Sequence, residues 1–173
     1  MFAFSRTRFQ RAAFVFLGAT TALLLGCASS AGPSDAEVRK AFEHRLRNDL
    51  DGGAIRVASF QKTSGPVAIP GTKTMHAIAF TAKLECLKPY AYRRQVDCAA
   101  GKSILVTEGG GEWQATIEGA GAVALRQGGK NLATSGEFVR ETDAQGALVS
   151  YREKNLFSGV LYYKESSGWK SAD

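Results

Sequence analysis

Residues 34–61, "SDAEVRKAFEHRLRNDLDGGAIRVASFQ", contain a change of period that decides the fold class. Up to Leu50 the apolar residues Val38, Ala41, Phe42, Leu46 and Leu50 recur at three- and four-residue steps, the spacing of one helical face. Arg39, Lys40, Glu43, Arg45 and Arg47 fall on the other face. Ser34 and Glu37 have the spacing of a capping box, in which each residue satisfies the other's free backbone amide. Pro33 lacks the amide proton that a helix interior needs. "DGG" at 51–53 is a stop signal. The pattern predicts one amphipathic helix over 34–50. From Ala54 the alternation is every second residue, as in a half-buried strand.

The two-residue period continues through the rest of the chain. "AIRVASFQ" at 54–61 predicts a strand, and the turn-rich "KTSGPVAIPG" follows it. His76, Ile78, Phe80, Ala82 and Leu84 alternate with Ala77, Ala79, Thr81 and Lys83, which predicts one long strand with an apolar face. Further strands are expected at 102–108, 112–118, 122–127, 136–142, 147–153 and 156–165. Gly109–Gly111 breaks the first pair, and "DAQG" at 143–146 has hairpin chemistry. "SSGW" turns the chain after the last strand. "KNLATSGEFVRET" at 130–142 and "KNLFSGVLYYKES" at 154–166 share a weak echo, short of the three repeats a solenoid needs.

One helix followed by many antiparallel strands is an α+β layout, because the helix must bury its stripe against a sheet. This order, with the closing "GVLYYKESSGWK", resembles the cystatin-like and NTF2-like domains of small periplasmic lipoproteins. The resemblance implies one N-terminal amphipathic helix packed on a curved antiparallel β-sheet, in a single domain over 34–173. It rests on topology, so it carries over no site residue.

The N-terminus bears on location. Residues 1–11 hold Arg6, Arg8 and Arg11 and no acid, and residues 12–25, "AAFVFLGATTALLL", are apolar or small. A basic flank before an apolar run of this length is a secretory signal. The run falls short of the roughly 20 apolar residues of a transmembrane helix. Leu24-Leu25-Gly26-Cys27 then resembles the lipobox of bacterial lipoproteins. That resemblance implies a signal peptide over 1–26, lipid on Cys27, and a short lipidated tether over 27–33. Two or three acyl chains anchor stably where one is marginal. In the sorting that the family shows, Asp after the cysteine retains a lipoprotein at the inner membrane. Ala28 stands there, which implies the periplasmic face of the outer membrane.

Cleavage before Cys27 removes three of the 22 basic side chains, leaving 19 against 16 acidic ones. A balance so near neutral, in the envelope, argues against nucleic acid as a partner. Cys86 and Cys98 remain as an even pair in an oxidising compartment, which reads as a disulfide. With only His44 and His76 beside them, the two thiols make no zinc pattern, and no metal or cofactor is expected.

The tests for chemistry are mostly negative. Gly119-x-Gly121-x-x-Ala124 fits a dinucleotide fingerprint, but Gly128-Gly129 interrupts the helix it must open. "QGGKN" at 127–131 lacks the spacing of a phosphate loop. His44 reads as a solvated histidine and His76 as a sheet-end one. Glu137 and Glu141 lie roughly 13 Å apart along one strand, too far for a glycosidase pair. Nothing marks Glu85 or Asp97. Tyr151, Phe157, Tyr162, Tyr163 and Trp169 could line a pocket or serve as packing.

The segment that stands out is "CLKPYAYRRQVDC", residues 86–98, where Lys88, Tyr90, Tyr92, Arg93 and Arg94 share a loop pinned at both ends. Pinning lowers the entropy cost of binding, and Tyr and Arg are enriched in binding hot spots. These five residues are the candidate binding set, for an envelope protein, a glycan or lipid head groups. The expected function is a non-enzymatic binding or scaffolding module on a lipid anchor. The alternative is a small apolar ligand held in an NTF2-like pocket.

Overall fold

The computed structural model describes residues 32–120, 138–143, 146–154 and 157–173. Cys27 and the lipobox, the strand expected at 122–127, "QGGKN" and Glu137 lie outside the described residues, as do most of the fingerprint and of the first half of the echo.

The described chain is mainly antiparallel β-sheet with two short helices, an α+β arrangement. Helix α1 spans Asp35–Arg45 and α2 Arg47–Asp51. The strands are β1 (Ile55–Lys62), β2 (Val67–Ala68), β3 (Met75–Ile78), β4 (Phe80–Cys86), β5 (Tyr90–Tyr92) and β6 (Val96–Cys98). They continue as β7 (Ser103–Gly109), β8 (Glu112–Ile117), β9 (Phe138–Thr142), β10 (Leu148–Lys154), β11 (Val160–Glu165) and β12 (Gly168–Ser171). The first sheet has the order β1-β4-β7-β8-β10-β9, the second β12-β11-β3-β2, and β5 pairs with β6 alone.

The helix differs from the single one predicted over 34–50. The capping box is present: Glu37 N–H donates to Ser34 Oγ at 3.3 Å, and Ser34 N–H donates to Glu37 Oε2 at 2.8 Å. The helix breaks at Leu46, whose N–H is shared between the Phe42 and Glu43 carbonyls. Tightening of this kind ends a regular turn and redirects the chain into α2.

The long strand predicted over 76–84 is also divided. β3 belongs to the second sheet and β4 to the first, with the crossing at Ala79. Two glycines make room for it. A Cβ on Gly109 (φ +139°) would stand 2.0 Å from the Ala79 Cβ, and one on Gly159 (φ +109°) would stand 2.7 Å from the Ile78 carbonyl oxygen. The last long strand starts at Val160 rather than 156.

The core lies between α1 and the inner faces of the sheets. Val38, Ala41, Phe42 and Leu46 pack on Ile55, Val57, Ile78, Phe80 and Val160. Strict alternation would turn Phe60 away from Ile55 and Val57, and an extra residue between Val57 and Ser59 restores it to their side. Phe42, Phe60 and Phe80 meet with ring centroids 4.6–5.7 Å apart. Full burial of one such side chain contributes roughly 1.5–3 kcal/mol. Gly32 and Pro33, predicted as tether, are buried against the domain.

Candidate binding cleft at the disulfide-pinned hairpin

Cys86 and Cys98 form a disulfide that ties the end of β4 to the end of β6. Closing a loop of this size stabilises by roughly 3 kcal/mol. Within it, β5 and β6 pair from Tyr90↔Cys98 to Tyr92↔Val96. The turn Tyr92–Gln95 is closed by the Gln95 N–H, which donates to the Tyr92 carbonyl at 2.9 Å. Arg93 (φ +48°) and Arg94 (φ +57°) occupy its two central positions. Both are left-handed positions that favour Gly or Asn, and an L side chain there costs roughly 1–2 kcal/mol each.

Strain of this kind persists only where the surroundings impose it. Here Glu108 on β7, fully buried, does so. The Tyr92 hydroxyl donates to Glu108 Oε1. Glu108 Oε2 accepts from Arg93 Nη2 at 2.8 Å, from Arg45 Nη2 at 3.1 Å and from the Gly159 N–H at 3.3 Å. The Arg93 guanidinium also lies 4.6 Å from the Trp113 ring centroid. A buried carboxylate is tolerable only when paired and hydrogen-bonded in this way.

Burial, then the Glu108 charge, pushes the Tyr92 phenol well above its ordinary pKa, so it remains a neutral donor. Burial opposes the Arg45 charge, but the neighbouring carboxylates, Glu108 first and then Asp173, more than offset it, and the Arg45 pKa lies above its ordinary value.

Between this hairpin and the helices runs a cleft of about 310 Å³, lined by Arg45, Leu46, Asp49, Tyr90, Arg93 and Arg94. The Tyr90 hydroxyl donates to Asp49 Oδ2 at 3.3 Å, and burial, followed by that carboxylate, raises its pKa. Lys88 Nζ donates to the Gly52 carbonyl at 3.0 Å, fastening the hairpin to the end of α2. Arg94 is exposed; its N–H donates to the Ala91 carbonyl at 3.3 Å, and its guanidinium makes no hydrogen bond or ion pair among the described residues.

The five candidate residues therefore divide. Tyr92, expected at a binding surface, is a core residue, and Arg93 is committed to Glu108. Tyr90 is half-buried on the cleft wall, Lys88 is an exposed fastener, and Arg94 is exposed with a guanidinium that has no partner among the described residues. Sequence reasoning missed Glu108, Arg45, Asp49 and Trp113. The signal for Glu108 was its parity: it continues the buried Ile104, Val106 series of β7.

The other candidates lie apart. His44, exposed on α1, shares a cleft of about 320 Å³ with Glu37, Lys40, Tyr162, Trp169 and Asp173. His76 Nδ1 is 3.0 Å from the Thr74 carbonyl oxygen, and its ring meets Trp169 edge-on. Glu85 pairs with Arg56, Asp97 is exposed, and Glu141 lies opposite Ser150. Tyr151 packs on Trp113 in the first sheet, while Tyr162 and Trp169 belong to the second, so the aromatic set does not share one pocket. Ser158 Oγ is buried with no partner among the described residues, and the structure offers no reason for it.

No family model, curated protein or solved structure matches this chain.

Proposed function

We propose that this chain is a non-enzymatic binding module of the bacterial envelope. Cys27 carries its lipid anchor at the periplasmic face of the outer membrane, and the Arg94 cleft grips a carboxylate on an envelope protein. The observation that carries the reading is the turn itself. Two arginines stand at left-handed positions, one held by Glu108 and the other beside Tyr90 with its guanidinium unpaired among the described residues. Backbone strain that leaves a guanidinium exposed has a use when the guanidinium binds something, and a planar guanidinium suits a carboxylate.

Two further observations support a binding module. Glu108, the most buried acid near the cleft, already accepts from four donors and so is poorly placed to act as a base. The space between α1 and the sheet is filled by Phe42, Phe60 and Phe80, which weighs against a small apolar ligand in an NTF2-like pocket. The packing of α1 on β1 and β11 fits a cystatin-like or NTF2-like arrangement.

The test is recovery of envelope proteins by the full-length chain. Arg94→Glu is expected to lose a partner that the native chain and Lys102→Glu both retain. Equal recovery by Arg94→Glu overturns the assignment of the cleft. Fatty-acid labelling that is equal in the native chain and in Cys27→Ser overturns the anchor.

A further inference from the structure

The chain's route out of the domain singles out a second surface. A Cβ on Gly32 would stand 2.7 Å from the Pro66 ring, so the chain is pressed against the segment between β1 and β2. The Pro33 carbonyl accepts from Lys62 Nζ at 2.6 Å, and the same ammonium lies 3.7 Å from Asp35 Oδ1. The backbone is thus fixed to this corner as far out as Gly32. Five residue steps separate Gly32 from Cys27, and even fully extended they reach no more than about 18 Å. If Cys27 carries lipid, as the proposed function holds, the lipidated residue lies within that distance of Gly32, which is packed against Pro66.

The surface at that corner has the right chemistry for such a neighbour. Segment 63–74, "TSGPVAIPGTKT", contains no acid and one charge, Lys73. Lys62 at this corner is matched by Asp35, so Lys73 supplies the segment's charge. Val67 is 58 % exposed, more than any other large apolar side chain among the described residues. Beside it a cleft of about 220 Å³ is lined by Val67, Ala68, Ile69, Pro70, Ala77 and Ala79. An apolar tip carrying one lysine, next to an acyl anchor, combines the two attractions that hold proteins to phospholipid: apolar insertion and charge.

We infer that segment 63–74 rests on a phospholipid bilayer bearing anionic headgroups, with Val67 and Lys73 at the interface. The acyl anchor tethers the domain and this segment orients it. The Arg94 cleft begins at the C-terminal end of α1, about 16 Å along the helix from the anchored corner. Docked this way, the domain presents the cleft to partners rather than to its own membrane.

The test uses the full-length lipidated protein in vesicles of phosphatidylethanolamine and phosphatidylglycerol. A membrane-impermeant amine reagent modifies exposed lysines, and mass spectrometry reads Lys73 against Lys88, which lies beyond the far end of β4. Lys73 modification is expected to fall several-fold relative to Lys88, and the protection to disappear in Val67→Asp with lipid still on Cys27. Lipidated protein whose Lys73 reacts as fast as Lys88 overturns this orientation and leaves the anchor standing. An N-terminal peptide without lipid overturns both.

Discussion

Phe80 and Glu108 are direct cross-strand neighbours on β4 and β7, and they mark the border between two ways of filling one sheet face. On the Phe80 side, three phenylalanines pack beneath α1. On the Glu108 side, beneath the β5–β6 hairpin, a carboxylate gathers two guanidiniums, a phenol and an amide. Arg45 spans the border, with its guanidinium 5.4 and 5.8 Å from the Phe42 and Phe80 ring centroids while it donates to Glu108. The apolar side works by area and volume, and tolerates exchange between similar shapes. The charged side works by partner and direction, so each member depends on the others. One holds the helix down; the other decides where the hairpin sits.

The comparison breaks most visibly at Glu108. Glu108→Ala leaves two arginines and Tyr92 without their acceptor and is expected to cost about 3–5 kcal/mol in urea unfolding. Phe42→Leu on the other side is expected to cost about 1 kcal/mol. If Phe42→Leu proves the costlier change, the distinction fails. Next in size is the disulfide: Cys86→Ser with Cys98→Ser should lose roughly 3 kcal/mol. Amide exchange in this variant should quicken more at Gln95 than at Val38, since the pinned hairpin belongs to the charged side.

Arg94→Gly is expected to act in the opposite direction, raising stability by up to about 1 kcal/mol through relief of a left-handed position. Calorimetry reads the gain, and partner recovery reads the loss. A variant that is less stable and still recovers the partner would show that the turn stores no strain for binding.

The smallest effect concerns the N-terminal cap. Backbone and side-chain hydrogen bonds from Ser34 hold Glu37 below its ordinary carboxylate pKa of 4.5. A lowered folded value means that the contribution is full above the unfolded pKa and disappears as pH falls through the folded one. The native chain should therefore lose slightly more stability than Glu37→Gln between pH 6 and pH 3, and solvent screening keeps the difference small. Parallel losses would remove the cap from the account.

The apolar side was legible because its information is periodic. Val38, Ala41 and Phe42 announce a helix face, and Phe80, Ala82 and Leu84 a strand face, without any knowledge of what they touch. The charged side was only half legible. "YAYRR" flagged a special loop and the cysteines its closure, yet Tyr92 and Arg93 find their partner on a strand 15 or 16 residues later. Composition treats Arg45 and Glu108 as surface residues, and only tertiary contact gives a buried charge its reason. The breaks at Leu46 and Ala79 were hidden for a related cause. The alternation runs unbroken through Ala79, and what bends the chain there is the approach of Gly109 and Gly159 from distant segments.

That bend has a mechanical consequence. β3 and β4 are one run of backbone, so the two sheets are joined through covalent bonds as well as through packing. Ala79 is also gripped sideways, accepting from the Thr63 N–H at 2.9 Å and donating to Ser64 Oγ at 3.4 Å. A pull applied near Pro33 passes through Lys62 into this junction and loads both sheets together. In a stretching measurement from that corner, the junction should be among the last parts to give way.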